Sequence, residues 1–231
     1  MKKIFSLLFL LYISCLTAYS QTHNDSIVLL RDLVAQRTGK FLTVKGIELK
    51  PELKMADMLK MMLNKGFKKS DLYEMGKERF GVYLLEGPFF NKHNCAVKII
   101  PIASNKEYVS VVGIEFPEAN SFKQLKSVYD DLKASLNKKY HVGSCYEQFD
   151  EDFVNTSTSD FLKLSALENN AGKFETRFYL SEDSISMLLG QVVLSISHVE
   201  DGYGKTKFYV LLSYTTSNEI VEQLKSHDDD L

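Results

Sequence analysis

Apolar residues recur every three to four positions in two long stretches of the chain and roughly every second position in several short ones. Met55, Met58, Leu59, Met62 and Leu63 fall at i, i+3, i+4, i+7 and i+8, the spacing of a buried helical stripe. Pro51 suits the start of that helix, where a missing N–H does no harm, and Gly66 suits its left-handed end. A second stripe, Phe122, Leu125, Val128, Tyr129, Leu132, Leu136 and Tyr140, runs for about five turns. It follows Ser121 and Gln124, a Ser-x-x-Gln capping box. Shorter helices are predicted at both ends. Asn24-Asp25-Ser26 caps the first, with Ile27, Leu30, Leu33 and Val34 on one face and Gly39 as its stop. Ser217 or Asn218 caps the last, through Ile220, Val221 and Leu224. A brief strand is expected over residues 41–44, and longer ones over 80–85, 95–102, 108–116, 141–149, 174–180, 191–198 and 207–214. The gaps between the strands at 80–85, 95–102 and 108–116 are too short for helical crossovers, so these strands are expected to be antiparallel. Asn105-Lys106 and Asp201-Gly202-Tyr203-Gly204 supply turns. Residues 150–172 are polar around an apolar island of Phe161, Leu162, Leu164 and Leu167, and read as a long loop with one or two helical turns.

The order helix, strands, helix, strands predicts an α+β fold of two tandem units, each a helix on an antiparallel sheet of three to four strands. Asn64-Lys65-Gly66-Phe67 ends the first core helix and Asn137-Lys138-Lys139-Tyr140 the second, 73 residues later. Asn120-Ser121 and Ser217-Asn218 cap helices 97 residues apart, and the extra 24 residues match the segment 150–172. The division is therefore a leader at 1–20, a first unit with an N-terminal helix at 21–117, and a second unit at 118–231 carrying the inserted loop. Strand alternation is blurred: Val109 and Val111 oppose Val112 and Ile114, and Tyr209 and Leu211 oppose Phe208 and Val210. A helix hides one face of a sheet, so the other either meets a second sheet or is a binding surface.

This plan resembles the tandem helix-plus-sheet modules of the beta-lactamase inhibitory protein family. The stretch Val44-Lys45-Gly46-Ile47-Glu48-Leu49, followed by a helix closing on Lys65-Gly66-Phe67, is similar to the opening of exported proteins of Gram-negative bacteria. The resemblance implies a fold and transfers no inhibitory residue.

The N-terminus sharpens the setting. Lys2 and Lys3 precede an apolar run from Ile4 to Ile13 broken only by Ser6. That run suits a signal peptide and falls short of the roughly 20 residues that span a bilayer. Ala18-Tyr19-Ser20 places small residues two apart, so cleavage is expected after Ser20. Ser14-Cys15 offers the alternative of a lipidated Cys15, against which Tyr12 stands where an aliphatic residue is usual. The protein is thus expected to be exported, periplasmic or secreted, with outer-membrane lipid anchoring as the alternative. Cleavage leaves 211 residues with 26 basic and 30 acidic side chains. This acidic balance argues against nucleic acid as a partner, and no later stretch is long and apolar enough to span a membrane. Cys95 and Cys145 survive cleavage. They form either a disulfide, as an oxidising compartment allows, or two free thiols.

No motif carries recognisable catalysis. His23, His93, His141, His198 and His227 show no zinc spacing, and no His-Glu-x-x-His, nucleophile elbow or phosphate loop occurs. Asp150-Glu151-Asp152 with Asn155 lacks the Gly and Glu of a calcium loop. Asp25-Ser26-Ile27 and Asp183-Ser184-Ile185 fit a three-residue acceptor pattern for bacterial O-glycosylation. No cofactor is expected. The function expected first is non-enzymatic binding of another envelope protein or peptide. Second is a hydrolase or sugar-active enzyme whose site forms only in three dimensions, from residues such as Asp150, His141 and His198. Third is a lipid-anchored surface scaffold, which depends on Cys15.

Overall fold

A computed structural model of the chain describes residues 25–150, 159–201 and 203–228. The leader, its cut after Ser20 and Cys15 lie outside the described residues, as does His23. The first helix, α1, covers residues 25–38. Gly39, at φ 59°, ends it by donating its N–H to Ala35 O at 3.0 Å. Two short strands follow, β1 (Thr43–Val44) and β2 (Ile47–Glu48), paired antiparallel. Lys45 and Gly46 both hold positive φ between them, the geometry of a type I′ hairpin turn. Then come α2 (Met55–Asn64), β3 (Lys68–Lys69), α3 (Tyr73–Phe80), β4 (Tyr83–Phe89), β5 (Lys92–Pro101) and β6 (Val109–Glu115). The second half runs α4 (Phe122–Leu136), β7 (His141–Phe149), α5 (Asp160–Glu168), β8 (Gly172–Tyr179), a 3-10 turn (Ser184–Leu189), β9 (Gly190–Glu200), β10 (Thr206–Thr216) and α6 (Ser217–Asp228).

β3 to β10 form one antiparallel sheet in the order β3-β4-β5-β6-β10-β9-β8-β7. The fold is therefore α+β with a single large sheet, where the sequence pattern led us to expect two. The first four strands lie in chain order, the last four in reverse. The two groups meet where Ile114 pairs with Leu212 and Val112 with Tyr214. One face of this sheet is sealed. Leu85, Val97, Ile99, Val112, Ile114, Leu194, Val210 and Leu212 are at most 1% exposed and share one core with Met58 and Met62 of α2 and Leu125, Tyr129 and Leu132 of α4.

The predicted stripe of α4 is the buried one: Phe122, Leu125, Tyr129, Leu132 and Leu136 face inward, with Tyr140 just beyond. Ser121 Oγ accepts the N–H of Gln124 at 3.2 Å. Replacing Ser121 with alanine is expected to cost about 1 kcal/mol, read as a shifted urea midpoint at constant m-value. In α2 the methionines at 55, 58 and 62 are buried and Leu63 is exposed. Pro51 does not open this helix; it lies in a turn, and the helix starts at Met55, whose N–H donates to Glu107 O at 2.7 Å.

α1 turns differently from its apolar pattern. Leu30 and Leu33 are exposed together with Leu29, while Val28, Arg31 and Ala35 face the body of the protein. The helix α3 and strand β3 were not legible in the pattern. Phe80, expected in a strand, is the last and 70% exposed residue of α3. A Cβ on Gly76 would lie 2.9 Å from both Leu84 Cδ1 and Val82 O. The missing side chain is what lets α3 press against β4. Residues 150–172, expected as a long loop with one or two helical turns, contain the two-and-a-half-turn helix α5.

Candidate functional site

Two surface features merit chemical attention: the sheet face that the helices leave open, and a polar cluster at the sheet's edge.

Strand pairing places Leu84, Lys98, Gly113, Ser213, Val193 and Arg177 in one cross-strand row of the open face. The neighbouring row is Glu86, Ala96, Glu115, Leu211, Ser195, Glu175 and Tyr146. Leu211, Val193 and Tyr209, at its centre, are half-buried. Gly113, Ser213 and Ser195 lie among them, so the middle of the face is low. Charged residues flank it in pairs. Lys98 bonds Glu115 on one side; on the other, Arg177 reaches Glu175 at 2.9 Å and Lys173 reaches it at 3.4 Å. Burial, and secondly the charge of Glu115, push the Tyr209 hydroxyl above its usual range. α3 covers only the β4 end of this face, through Leu84 and Gly76.

The second feature sits on the helix-covered face of edge strand β7. Alternation puts Cys145, Glu147 and Phe149 on the same side, opposite Thr176, Phe174 and Gly172 of β8. α4 crosses above and sends two lysines, two turns apart, towards them. Lys133 Nζ lies 3.1 Å from Cys145 Sγ and donates to Glu147 Oε1, while Lys126 Nζ is 3.6 Å from Glu147 Oε2. Cys145 Sγ also points at Glu147 Oε1, at 3.3 Å. Thr176 Oγ1 donates to the sulfur at 3.4 Å and shares a 2.7 Å hydrogen bond with Tyr129 OH. Burial pushes the Tyr129 hydroxyl well above its usual range.

Burial would raise Glu147, but the hydrogen bonds from Lys133 and Cys145 and the charges of Lys133 and Lys126 outweigh it and hold the carboxyl below its ordinary value. Burial would lower Lys133, but the bonds to Glu147 and Cys145 hold its ammonium above its ordinary value. The depressed carboxyl stabilises the fold above its unfolded value of 4.5 and loses that contribution as pH falls through its folded value. The raised ammonium stabilises the fold below 10.5 and loses that contribution as pH rises through its folded value. Glu147→Gln is therefore expected to cost about 1 kcal/mol at neutral pH and far less at an acid pH below the carboxyl's folded value, where wild type has lost the same interaction. Urea titrations of both proteins at the two pH values measure this difference; an equal cost at both would refute the pairing.

Of the two alternatives left open for Cys95 and Cys145, the structure holds the second. Both cysteines are free thiols, Cys95 buried and Cys145 exposed. β5 and β7 are separated in the sheet by β6, β10, β9 and β8. At about 4.8 Å per strand this is more than 20 Å, far beyond the roughly 7 Å Cα limit of a disulfide. Burial pushes the Cys95 thiol up, and it packs as a small apolar residue. Nor does the fold gather the proposed acid and histidines. His141 opens β7 and Asp150 follows its other end, about 30 Å away along an extended strand. His198 sits on β9 with its ring 6.0 Å from that of Phe208. His141 Nδ1 is 3.7 Å from Glu182, and His93 lies on β5 beside the β4–β5 turn. His227 belongs to α6.

Between α1 and α6 lies a groove of about 600 Å³ lined in part by Val28, Arg31, Phe41, Tyr108 and Val221. Its guanidinium is already engaged: Arg31 bonds Asp32 at 2.7 Å and Asn218 Oδ1 at 2.8 Å. Asn218 in turn donates to Pro51 O at 2.7 Å. These bonds fasten α1 to α6. Among the described residues no group of three or more His, Cys, Asp or Glu side chains is arranged to hold a metal ion, and no helix is long and apolar enough to cross a membrane.

The chain is an α+β protein with one eight-stranded antiparallel sheet, one face of which α2 and α4 cover. It matches no family model, no curated protein and no solved structure.

Proposed function

We propose that this is an exported, non-enzymatic binding protein that docks another envelope protein or peptide on the open face of its sheet. The observation that carries this reading is the make-up of that face: Leu211, Val193 and Tyr209 at the centre, half-buried, with the ion pairs Lys98–Glu115 and Arg177–Glu175 around them. An apolar centre inside a charged rim is the usual anatomy of a protein interface. The strand order supports a duplicated plan, with β3–β6 following α2 and β7–β10 following α4, the two units fused through β6 and β10. Export rests on the leader, with cleavage after Ser20.

The test is retention of envelope proteins from extract by the immobilised chain beside its Leu211→Arg, Val193→Arg variant. Both positions face outward, so the variant should fold with an unchanged circular dichroism spectrum. Wild type is expected to retain a defined partner that the variant binds at least about thirtyfold more weakly, the loss of one central hot spot. Equal retention by both proteins, or none by wild type, would remove the open face as the site.

A further inference from the structure

We propose that Cys145 and Lys133 form an oxidative modification site, in which peroxide joins the two side chains by a covalent cross-link that ties α4 to edge strand β7. Geometry carries this. Nζ and Sγ are already 3.1 Å apart. The sulfur is held in place by Thr176 Oγ1 at 3.4 Å, itself fixed by Tyr129 OH at 2.7 Å. Cys145 is exposed to a small oxidant, whereas Cys95 is sealed in the core. Sulfenic acids condense with nearby thiols or nitrogens, and a nitrogen is the partner on hand here: the other thiol is more than about 20 Å away by strand count.

The chemistry balances as follows. Cys145 Sγ attacks hydrogen peroxide; the O–O bond breaks, sulfur is oxidised to sulfenic acid and peroxide is reduced to water. Lys133 gives up one ammonium proton to solvent water. Its nitrogen then attacks the sulfenic sulfur. The S–N bond forms, the S–O bond breaks, and the departing hydroxide takes a second nitrogen proton to become water. Each event consumes one peroxide, forms two waters and releases one proton to solvent. A second peroxide can insert one oxygen between sulfur and nitrogen, with water as its other product.

The experiment treats the purified full chain with hydrogen peroxide and follows intact mass and tryptic peptides. Expected is a loss of about 2 Da, or a gain of about 14 Da when oxygen is retained, with one peptide pair joined through Lys133 and Cys145. Dithiothreitol should restore the starting mass. Lys133→Arg keeps a cation for Glu147 and should abolish the joined peptide, its Cys145 passing on to sulfinic acid. Lys126→Arg, which alters the neighbouring lysine, should leave the joined peptide intact. Accumulation of sulfinic acid or an intermolecular disulfide at wild-type Cys145, with Lys133 free, would overturn the proposal. So would a joined peptide that persists in Lys133→Arg. The test reads mass alone and does not depend on the docking role of the open face.

Discussion

Gly190→Ala is expected to destabilise the protein by about 3 kcal/mol or more, lowering the melting temperature of a chain this size by roughly 6–12 °C. Gly190 joins the 3-10 turn to β9 at φ 106° and ψ 176°, a region essentially closed to residues with a side chain. Space is as restrictive as the backbone. An added Cβ would lie 2.4 Å from Thr215 O and 2.9 Å from Leu42 Cδ1. The leucine tip can swing aside; the Thr215 carbonyl cannot, because β10 is held on both sides by β6 and β9. Relief would have to come from the first pairs of the β9–β10 ladder, Gly190 with Thr216 and Gln191 with Thr215. Gly204→Ala is the matched control. Gly204 also has positive φ, 76°, but its Cβ would meet nothing nearer than Glu200 Oε1 at 3.6 Å. Its cost should be about 1 kcal/mol. Thermal melts of the two variants side by side separate clash from conformational preference; equal shifts would show that the Thr215 contact carries no weight.

Leu212→Ala should cost about 2–5 kcal/mol and should do so for the whole molecule at once. Leu212 is 1% exposed and lies between Ile114 and Leu194, its partners on the two neighbouring strands. It stands on the seam where β10 meets β6, the one strand pairing between the first four strands of the large sheet and the last four. Truncating it opens a cavity that neither group of strands can close alone. Ile114→Ala attacks the same seam from the other side, so the double variant should lose less than the sum of the singles, the two cavities being shared. If the sheet is one cooperative unit, amide exchange in β4–β5 and in β8–β9 accelerates together in Leu212→Ala. Faster exchange confined to β8–β9 would instead mark two separately stable halves.

The open sheet face was half legible. Apolar residues on both faces of β6 and β10 signalled a second face of consequence, because Val111, Tyr209 and Leu211 alternate with buried neighbours. That these faces lie side by side in one sheet depends on β6–β10 pairing across about a hundred residues, for which no local signal exists. The cluster at Cys145 was missed. Period-two alternation puts Cys145, Glu147 and Phe149 on one side, and two helical turns separate Lys126 from Lys133, so the ingredients were visible. Which lysines meet which strand depends on how α4 crosses β7, which no local pattern sets. The choice between a disulfide and two free thiols was open for the same reason: compartment and count allow a bond, and only sheet order sets the two cysteines apart.

Local elements follow from the sequence by itself wherever one force dominates. The α4 stripe and its Ser121 cap, the α2 methionines and Gly39 as the end of α1 are short-range matters of periodicity and backbone freedom, settled within a few residues. Tertiary structure decided the rest. α3 exists because Gly76 permits close approach to β4, not because its weak pattern demands a helix. α1 turns its leucines outward because Arg31 is fastened to Asn218 of the final helix. One sheet forms instead of two because pairing β6 with β10 satisfies the backbone hydrogen bonds of two edges that would otherwise stay open. That seam creates the broad face proposed for docking, and the placement of α4 brings Lys133 within reach of Cys145.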